Sequence, residues 1–422
     1  MCRRAWSLYL VRKGFVIDAP RLFMLAGEAS GDALGAALIS GICANRPRSV
    51  FEGIGGPKML HNGLQSCFPM DPLSVMGLVE VLPRLPQILA LRRRVVNRIA
   101  AAGYDALVTI DSPDFALGVA RRVKKIRPRI PCIHYVSPTV WAWRPWRVRT
   151  LAASVDHVMT LFPFEADHLT GAGIASSFTG HPLADRVRPE DGAIAAVRAK
   201  LGLRPHSRII LLLPGSRAGE VRRHTELFRT IAVRLGARDP TLEFVVVSTA
   251  VTRPVIESLG GTWPQTTRFF CSGDRMPDQA EEEKFALFAT AHAALAASGT
   301  VSIELAAMRT PMVIAYAMNW LSSRILGAML TVDTVTLVNL MSDSRVVAEH
   351  LGSRISQDSM LADMTSIIDN DDARLHQLQA FDHVVKKLRH PAGLAGEQAA
   401  GTLLMLLDDW DRTGKTGVHR SP

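Results

Sequence analysis

Short apolar runs alternate with longer helix-like stretches along the chain. Residues 209–213, for example, are apolar at every position, which is typical of a strand buried on both faces of a sheet. Strands and helices in alternation indicate βαβ units and parallel sheets, so the predicted fold class is α/β. The predicted strands are residues 22–26, 51–54, 106–110, 130–136, 157–161, 177–179, 208–213, 242–247, 293–296, 312–316 and 334–338.

A chain of 422 residues is too long for one ordinary hydrophobic core, so two domains are expected. The seam is predicted between His181 and Arg208, where apolar residues are sparse and Pro and Gly recur. No run reaches the ~18–20 apolar residues of a spanning helix, so any membrane contact is expected to be peripheral. The predicted limits are an N-terminal extension over residues 1–20, Rossmann-like domains over 21–190 and 200–375, and C-terminal helices with a tail over 376–422.

The charge and the cysteines narrow the class of protein. A net charge of +10 favours an anionic partner, either a nucleic acid, an anionic membrane surface or a phosphorylated substrate. Aromatic residues are only 6% and are not interleaved with basic ones, so a single-stranded nucleic acid is not the expected partner. The five cysteines are scattered and form no C-x-x-C pair, which favours a reducing cytoplasm over disulfides or a zinc site.

Two turns rich in Gly and Ser follow apolar strands and open helix-like stretches. Such turns present free backbone N–H groups and the positive end of a helix dipole, which suit a phosphate. Each could also be an ordinary strand-to-helix turn with a solvated charge, but two of them suggest a diphosphate site. The first turn contains Gly215, Ser216, Arg217 and Glu220, and the second contains Ser298, Gly299, Thr300 and Glu304.

Within these turns, individual side chains suggest specific contacts. Arg217 offers a bidentate guanidinium to a phosphate, and Glu304 could accept hydrogen bonds from a ribose diol. The glycine-rich segments 27–32 and 53–58 match neither the dinucleotide fingerprint nor a Walker A loop. The nucleotide is therefore not expected to be a nicotinamide cofactor.

Asp111 directly follows the predicted strand 106–110 and precedes Ser112 and Pro113. Ligands gather at the carboxyl ends of strands in open α/β sheets, so Asp111 is a candidate general base. On position alone, a helix N-cap is the favoured interpretation.

Two further segments each allow two interpretations. The segment 137–149, with three tryptophans and three arginines, could line an acyl- or sugar-binding face or could simply pack. An apolar stretch followed by arginines could lie in a membrane interface or could be a core helix with a basic end. The residues of this second segment are Val75, Met76, Leu78, Val79, Leu82, Arg92, Arg93 and Arg94.

Several short motifs occur in a fixed order along the chain. They are GEASGD at 27–32, GGP at 55–57, MGLVEVL at 76–82, IDSPDF at 110–115, HYVSPTVWAW at 134–143, FPFE at 162–165, GHP at 180–182, both phosphate-type turns, and TPMV at 310–313. Their order and spacing resemble the lipid-A-disaccharide synthase family over roughly residues 22 to 400. The resemblance implies the GT-B architecture, in which two Rossmann-like domains face an interdomain cleft.

This resemblance implies an inverting hexosyltransferase. The two D-x-D patterns, at 369–371 and 409–411, follow no predicted strand, so together with the basic composition they favour a reaction without a metal ion, and no cofactor is expected. The enzyme would transfer 2,3-diacylglucosamine from UDP-2,3-diacylglucosamine to 2,3-diacylglucosamine 1-phosphate (lipid X), forming the β(1→6) disaccharide. The expected location is cytoplasmic and peripheral, on the inner face of a Gram-negative inner membrane, and a homodimer is allowed. The residues alone also permit another GT-B enzyme, such as a UDP-N-acetylglucosamine epimerase or transferase, or a non-catalytic lipid- or nucleotide-binding protein.

Residue roles follow from the resemblance by position. Asp111 matches the essential carboxylate, which replaces the N-cap interpretation, and Arg217 shares the catalytic role. Both turns would bind the donor's UDP together with Asn339, although Val338 and Gly352 stand where the family has Pro and Gln. The 76–82 segment matches the membrane-facing element. Acceptor or cleft contacts are expected from Glu28, Ser30, Ser137 and Trp141.

Overall fold

The structure is a computed structural model that describes residues 17–73, 84–138, 147–271, 277–297, 299–318, 334–342 and 344–413. The chain forms two compact units. The first consists of Met1–Pro182 with Leu388–Pro422, and the second of Leu183–Lys387. The last long helix, Ala395–Thr413, therefore belongs to the first unit, whereas the sequence prediction set residues 376–422 apart.

The first unit contains a parallel sheet of seven strands in the order β3-β2-β1-β4-β5-β6-β7. The strands Arg21–Ala26 and Ala106–Ile110 in the middle of the sheet are apolar except for Arg21 and Thr109, and all but Arg21 are buried, as expected for a sheet covered on both faces. The strands are β1 (Arg21–Ala26), β2 (Val50–Ile54), β3 (Leu64–Ser66), β4 (Ala106–Ile110), β5 (Cys132–Tyr135), β6 (His157–Thr160) and β7 (Ser176–Phe178).

Helices connect these strands, and a short 3₁₀ turn spans Asp71–Leu73. The connecting helices are α1 (Ala29–Asn45), α2 (Pro57–His61), α3 (Leu85–Ala101), α4 (Pro113–Ile126), α5 (Arg147–Ala152) and α6 (Pro163–Gly171). The short helix α7 (Pro182–Asp185) follows β7, and its last three residues belong to the second unit.

The C-terminal helix α16 (Ala395–Thr413) completes the first unit by packing on α1. A side chain at Gly41 would place its Cβ 2.8 Å from the Cβ of Ala400, so the two helices approach closely at this point. Arg46 and Asp408 form an ion pair of 2.6 Å at the edge of the same contact.

The second unit contains a parallel sheet of six strands in the order β10-β9-β8-β11-β12-β13. Its strands are β8 (Ile209–Leu213), β9 (Glu243–Ser248), β10 (Thr267–Cys271), β11 (Ala293–Ala297), β12 (Met312–Ala317) and β13 (Ala348–Gly352). The remaining helices are α8 (Asp191–Lys200), α9 (Ala218–Arg238), α10 (Arg253–Ser258), α11 (Pro277–Thr290), α12 (Val301–Ala307), α13 (Leu337–Ser342), α14 (Gln357–Asp369), α15 (Asp371–Leu388) and α16 (Ala395–Thr413).

Two parallel sheets covered by helices confirm the predicted α/β class, but one predicted strand is wrong. Residues 334–336 form no regular element, and α13 begins at Leu337. The backbone N–H groups of Val335 and Thr336 donate to the carboxylate of Glu349 instead of to a neighbouring strand. The strands β3, β10 and β13 were not predicted, because each lies at or next to a sheet edge and is only partly apolar.

In each sheet, the two strands that follow the first strand in sequence lie on one side of it, and all later strands lie on its other side. In the first unit this change of side, the switch point, lies between β1 and β4, where Ala26 is opposite Ile110. In the second it lies between β8 and β11, where Leu213 is opposite Ala296. Ligands of open α/β sheets bind beyond the carboxyl ends of the strands at such points.

Within the described residues, the helices are all too short or too polar to cross a lipid bilayer.

Candidate functional site

The switch point of the second unit opens into a cavity of about 350 Å³. Residues of the turns that follow β8 and β11 both line it, so the two turns singled out in the sequence lie together. The described residues that line the cavity are Leu213, Gly215, Ser216, Arg217, Glu220, Val247, Ser248, Thr249, Lys284, Phe288, Ala297, Gly299, Thr300, Val301 and Glu304.

The turn after β8 can form because residue 215 is glycine. Gly215 has a φ of +128°, in the region that favours glycine. A Cβ at this position would also lie 2.8 Å from the Cβ of Glu220. Arg217 then begins α9 as its N-cap residue, and its guanidinium pairs with Glu220 at 3.1 Å. The side chain of Arg217 remains 51% exposed, so it is accessible to a ligand.

His224 stabilises this turn through hydrogen bonds, a role that the sequence did not indicate. The fully buried imidazole donates from Nδ1 to the carbonyl of Pro214 at 2.9 Å and accepts at Nε2 from the N–H of Ala317 at 2.8 Å. An N–H donor facing Nε2 requires the tautomer with the proton on Nδ1. Burial lowers the pKa of His224 below its ordinary value of 6.5, and this favours the neutral ring.

The turn after β11 is more open. Gly299 has a φ of +148° and no atom close to where a Cβ would lie. Thr300 is the N-cap residue of α12, and Glu304 lies one turn further along. Ser298, predicted to contribute to the same site, lies outside the described residues.

Lys284 on α11 lines the same cavity and was not singled out in the sequence. Its Nζ donates to Oε1 of Glu304 at 2.9 Å. Lys284 follows three glutamates on α11, and such a charged run reads as a solvated helix face, so only the fold reveals its partner.

Asn339 is not among the described residues that line the cavity. Its buried amide donates to the carbonyl of Val347 at 2.9 Å and to Glu349 at 3.2 Å, and its oxygen accepts from the N–H of Val347. These bonds hold α13 to β13. The predicted contact between Asn339 and the donor stays a prediction that no observed contact supports.

At the switch point of the first unit, the residues after β4 adopt an unusual backbone. Asp111 and Ser112 have φ values of +52° and +45°, a conformation that costs a non-glycine residue free energy. The N–H of Asp111 donates to the carbonyl of Tyr135, and the hydroxyl of Ser30 donates to Oδ2 of Asp111 at 3.3 Å. Ser112, not Asp111, is the N-cap residue of α4, so the cap interpretation of Asp111 was wrong.

Two other predicted residues lie at the carboxyl edge of this sheet. Glu28 is the N-cap residue of α1, directly beyond β1. Ser137 follows β5 but is buried, and its hydroxyl donates to the carbonyl of Pro138 at 3.1 Å. Its expected acceptor contact stays a prediction. Trp141 lies outside the described residues.

Asp32 in the same glycine-rich segment has a structural role that the sequence did not reveal. Its buried carboxylate accepts hydrogen bonds from the N–H groups of Gly56, Lys58 and Met59 at 2.8–3.0 Å. These groups lie at the N-terminus of α2. The carboxylate thus joins the first turn of α1 to the N-terminus of α2.

The basic segment is only partly described. Val75, Met76, Leu78, Val79 and Leu82 lie outside the described residues. The arginines 92–94 lie on α3, where Arg93 and Arg94 are exposed. Arg92 is half-buried, and burial lowers its pKa. In the described part of the chain, no group of three or more His, Cys, Asp or Glu side chains is placed to hold a metal ion.

Comparison with known proteins gives a consistent result. The model of the family described as "Lipid-A-disaccharide synthetase" matches residues 22–402. The chain is 44% identical over 350 residues to the lipid-A-disaccharide synthase of Ruegeria pomeroyi, which covers 82% of this chain and 86% of that protein. It is 38% identical over 393 residues to the enzyme of that name from Pseudomonas aeruginosa, with coverage of 93% and 99%.

Solved structures of distant sequence show the same GT-B fold. MnaA of S. aureus, solved with UDP, has a TM-score of 0.61 at 10% identity and covers 96% of this chain and 99% of its own. UDP-GlcNAc 2-epimerase from Neisseria meningitidis, solved with UDP-GlcNAc, has a TM-score of 0.57 at 12% identity, with coverage of 87% and 99%.

Proposed function

Because the chain belongs to the lipid-A-disaccharide synthetase family and is a glycosyltransferase of lipid A synthesis, we propose that its donor is UDP-2,3-diacylglucosamine and its acceptor is 2,3-diacylglucosamine 1-phosphate. The bond from the donor's anomeric carbon to the diphosphate breaks, and a bond from that carbon to the acceptor's 6-oxygen forms. The products are UDP and the β(1→6) disaccharide 1-phosphate, with inversion. The observation that carries this proposal is the cavity at the switch point of the second unit, where both phosphate-type turns meet.

The donor's diphosphate is assigned to the turn after β8. The helix α9 has 21 residues, and its N-terminal N–H groups follow the turn formed by Gly215, Ser216 and the N-cap residue Arg217. Aligned peptide dipoles favour an anion at such an end. The exposed guanidinium of Arg217 adds a charged donor to the same place. Together they stabilise the negative charge that grows on UDP as it leaves, without requiring a metal ion.

The general base is assigned to Asp111. Single displacement with inversion needs one group that takes the proton from the acceptor's 6-hydroxyl as the new bond forms. Asp111 stands at a strand end, is partly exposed, and accepts a hydrogen bond from Ser30. Its strained backbone supports this assignment, because strained residues cluster at functional sites.

Peripheral attachment to an anionic inner-membrane surface is supported by the first turns of α3. Leu85 and Leu89 are 40% and 43% exposed, and the exposed Arg93 and Arg94 follow on the same helix. Apolar side chains beside cations suit the interface of an anionic bilayer. Serine at both leucines is expected to reduce binding to phosphatidylglycerol vesicles in a flotation assay. Serine at Leu394, which is 52% exposed, is the matched control; an equal loss there would contradict this attachment.

The activity is tested by incubating the purified protein with both acylated substrates in detergent, with and without EDTA. The expected result is equal formation of UDP and a disaccharide 1-phosphate in both samples, identified by mass spectrometry. Loss of product with EDTA would contradict metal independence. Turnover of unacylated UDP-N-acetylglucosamine would favour an epimerase or another transferase, and nucleotide binding without product would favour a non-catalytic protein.

A further inference from the structure

The nucleotide cavity contains two ion pairs of different construction. Arg217 and Glu220 lie three residues apart at the start of one helix. Lys284 and Glu304 lie on different helices, α11 and α12, and are joined at 2.9 Å with both side chains about one-fifth exposed. The second pair therefore needs the tertiary structure to form, and both of its members line the cavity.

Aromatic rings also contact the ammonium of Lys284. Nζ lies 4.6 Å from the ring centroid of Phe285 and 5.9 Å from that of Phe288, within reach of cation–π attraction. Both rings are almost fully buried, so neighbouring side chains pack around them. Contacts with a carboxylate and two rings hold the lysine in place before any ligand arrives, so its conformational entropy is already lost.

A fixed lysine determines where Glu304 points. Oε1 of Glu304 accepts from Nζ, and a carboxylate has acceptor sites to spare on both oxygens. A carboxylate in a nucleotide cavity can use these sites to accept hydrogen bonds from a ribose diol. Without the ammonium, Glu304 would be free to change rotamer, and ordering it would reduce the affinity.

Building on the proposed UDP-sugar function, we propose that Lys284 is a positioning residue that holds Glu304 to read the ribose hydroxyls of the donor nucleotide. The pair then determines the preference for a ribonucleotide. A direct contact between Lys284 and the diphosphate would have a different signature, because it would act equally on ligands with and without the 2′-hydroxyl.

The test measures binding of UDP and of 2′-deoxy-UDP by calorimetry. A hydrogen bond to a charged group is typically worth about tenfold or more in affinity, so the unmodified protein is expected to prefer UDP by about tenfold. Lys284→Met should weaken UDP binding by about fivefold and 2′-deoxy-UDP binding by less than about twofold, so that most of the preference disappears. Lys284→Arg, which can still pair with Glu304, should restore most of it. In turnover, Lys284→Met should raise the donor's KM and leave kcat nearly unchanged.

The matched control is Lys200→Met. Lys200, at the end of α8, pairs at 2.7 Å with Glu283, which precedes Lys284 on α11. Neither Lys200 nor Glu283 is among the described residues that line the cavity. This variant should keep the preference for UDP. If Lys284→Met does not reach the melting temperature of the Lys200→Met protein, Lys284→Gln is measured in its place.

Two outcomes overturn the role of Lys284 while the proposed function stands. If Lys284→Met weakens the binding of UDP and of 2′-deoxy-UDP equally, Lys284 contacts the diphosphate. If the preference for UDP is unchanged, Lys284 only connects α11 to α12. Failure of the unmodified protein to bind UDP would overturn the proposed function, and this inference with it.

Discussion

The two switch points occupy the same position in two sheets of the same class, but their turns are built differently. In the second unit the left-handed positions are glycines, Gly215 and Gly299, and both line the cavity. In the first unit the left-handed positions after β4 are Asp111 and Ser112. Glycine adopts this conformation without a steric penalty, whereas other residues pay roughly 1–2 kcal/mol each. A turn that binds through its backbone can therefore be unstrained, and one that presents a carboxylate bears the cost.

The largest expected effect is at Asp111. Asp111→Asn keeps the size of the side chain but removes the proposed base, so kcat should fall by about 10²–10⁴ while the donor's KM changes less than about threefold. Steady-state kinetics with both substrates measure this. Ser30→Ala removes only the hydroxyl that contacts Asp111 and should cost less than about tenfold. A raised KM with unchanged kcat in Asp111→Asn would assign the carboxylate to binding.

Arg217 tests the corresponding role in the second unit. Arg217→Ala removes the charged donor proposed to face the leaving diphosphate, so kcat should fall by about 10²–10³. The matched control is Arg222→Ala, which removes an exposed arginine from the same helix and should leave turnover unchanged. Near-normal turnover of Arg217→Ala at saturating donor would exclude this role.

Alanine substitutions at Gly215 and Gly299 should destabilise the protein to different extents. Gly215→Ala puts a Cβ 2.8 Å from Glu220 in addition to straining the backbone, and Gly299→Ala strains the backbone in open space. We expect Gly215→Ala to lower the free energy of unfolding by about 2–3 kcal/mol and Gly299→Ala by about 1 kcal/mol. Urea unfolding gives both values, and equal losses would mean that contact with Glu220 does not constrain the turn.

His224 is expected to make the turn after β8 sensitive to acid. His224→Leu leaves the carbonyl of Pro214 and the N–H of Ala317 unpaired, so it should lower stability by about 2–4 kcal/mol at pH 7.5. Because burial lowers the pKa of His224 from 6.5, the contribution is complete above pH 6.5 and is lost as pH falls through the lowered pKa. The gap between the free energies of unfolding of the original protein and of the variant should therefore narrow below about pH 6.

Denaturant unfolding at a series of pH values measures that gap. His383→Leu, at an exposed histidine of α15, is the control and should show no comparable narrowing. A gap that widens in acid would show that the protonated ring is the stabilising form.

The smallest expected effect is a gain in stability on substituting Ser112. Ser112→Gly relieves the left-handed strain and removes a buried hydroxyl that has no hydrogen-bond partner among the described residues. Stability should rise by about 0.5–1 kcal/mol in urea unfolding. Ser40→Gly, on the exposed side of α1, should instead lower it by about 0.5–1 kcal/mol. A loss at Ser112 would mean that its hydroxyl makes a stabilising contact.

Local signals were enough to find the parallel α/β fold and the two phosphate-type turns. An apolar run followed by Gly and Ser is contiguous in the chain, and its conformation depends mainly on its own residues. Lys284 and His224 gave no such signal, because their partners Glu304 and Ala317 lie 20 and 93 residues away. The strand predicted at 334–338 failed for a related reason, since the carboxylate of Glu349 takes the backbone donors that a strand would need.

Periodicity and turn chemistry in the chain thus indicated parallel sheets, glycine turns and a carboxylate after β4, and motif order indicated the family. These features depend on residues within a few positions of one another, where sterics and hydrogen-bonding capacity act locally. Packing of the finished sheets decided that the two turns of the second unit share one cavity, that Asp111 adopts a left-handed backbone beside Ser30, and that Lys284 meets Glu304. Such contacts arise only when strands that are distant in sequence become neighbours in a sheet. In this protein β8 pairs with β11 and β1 pairs with β4.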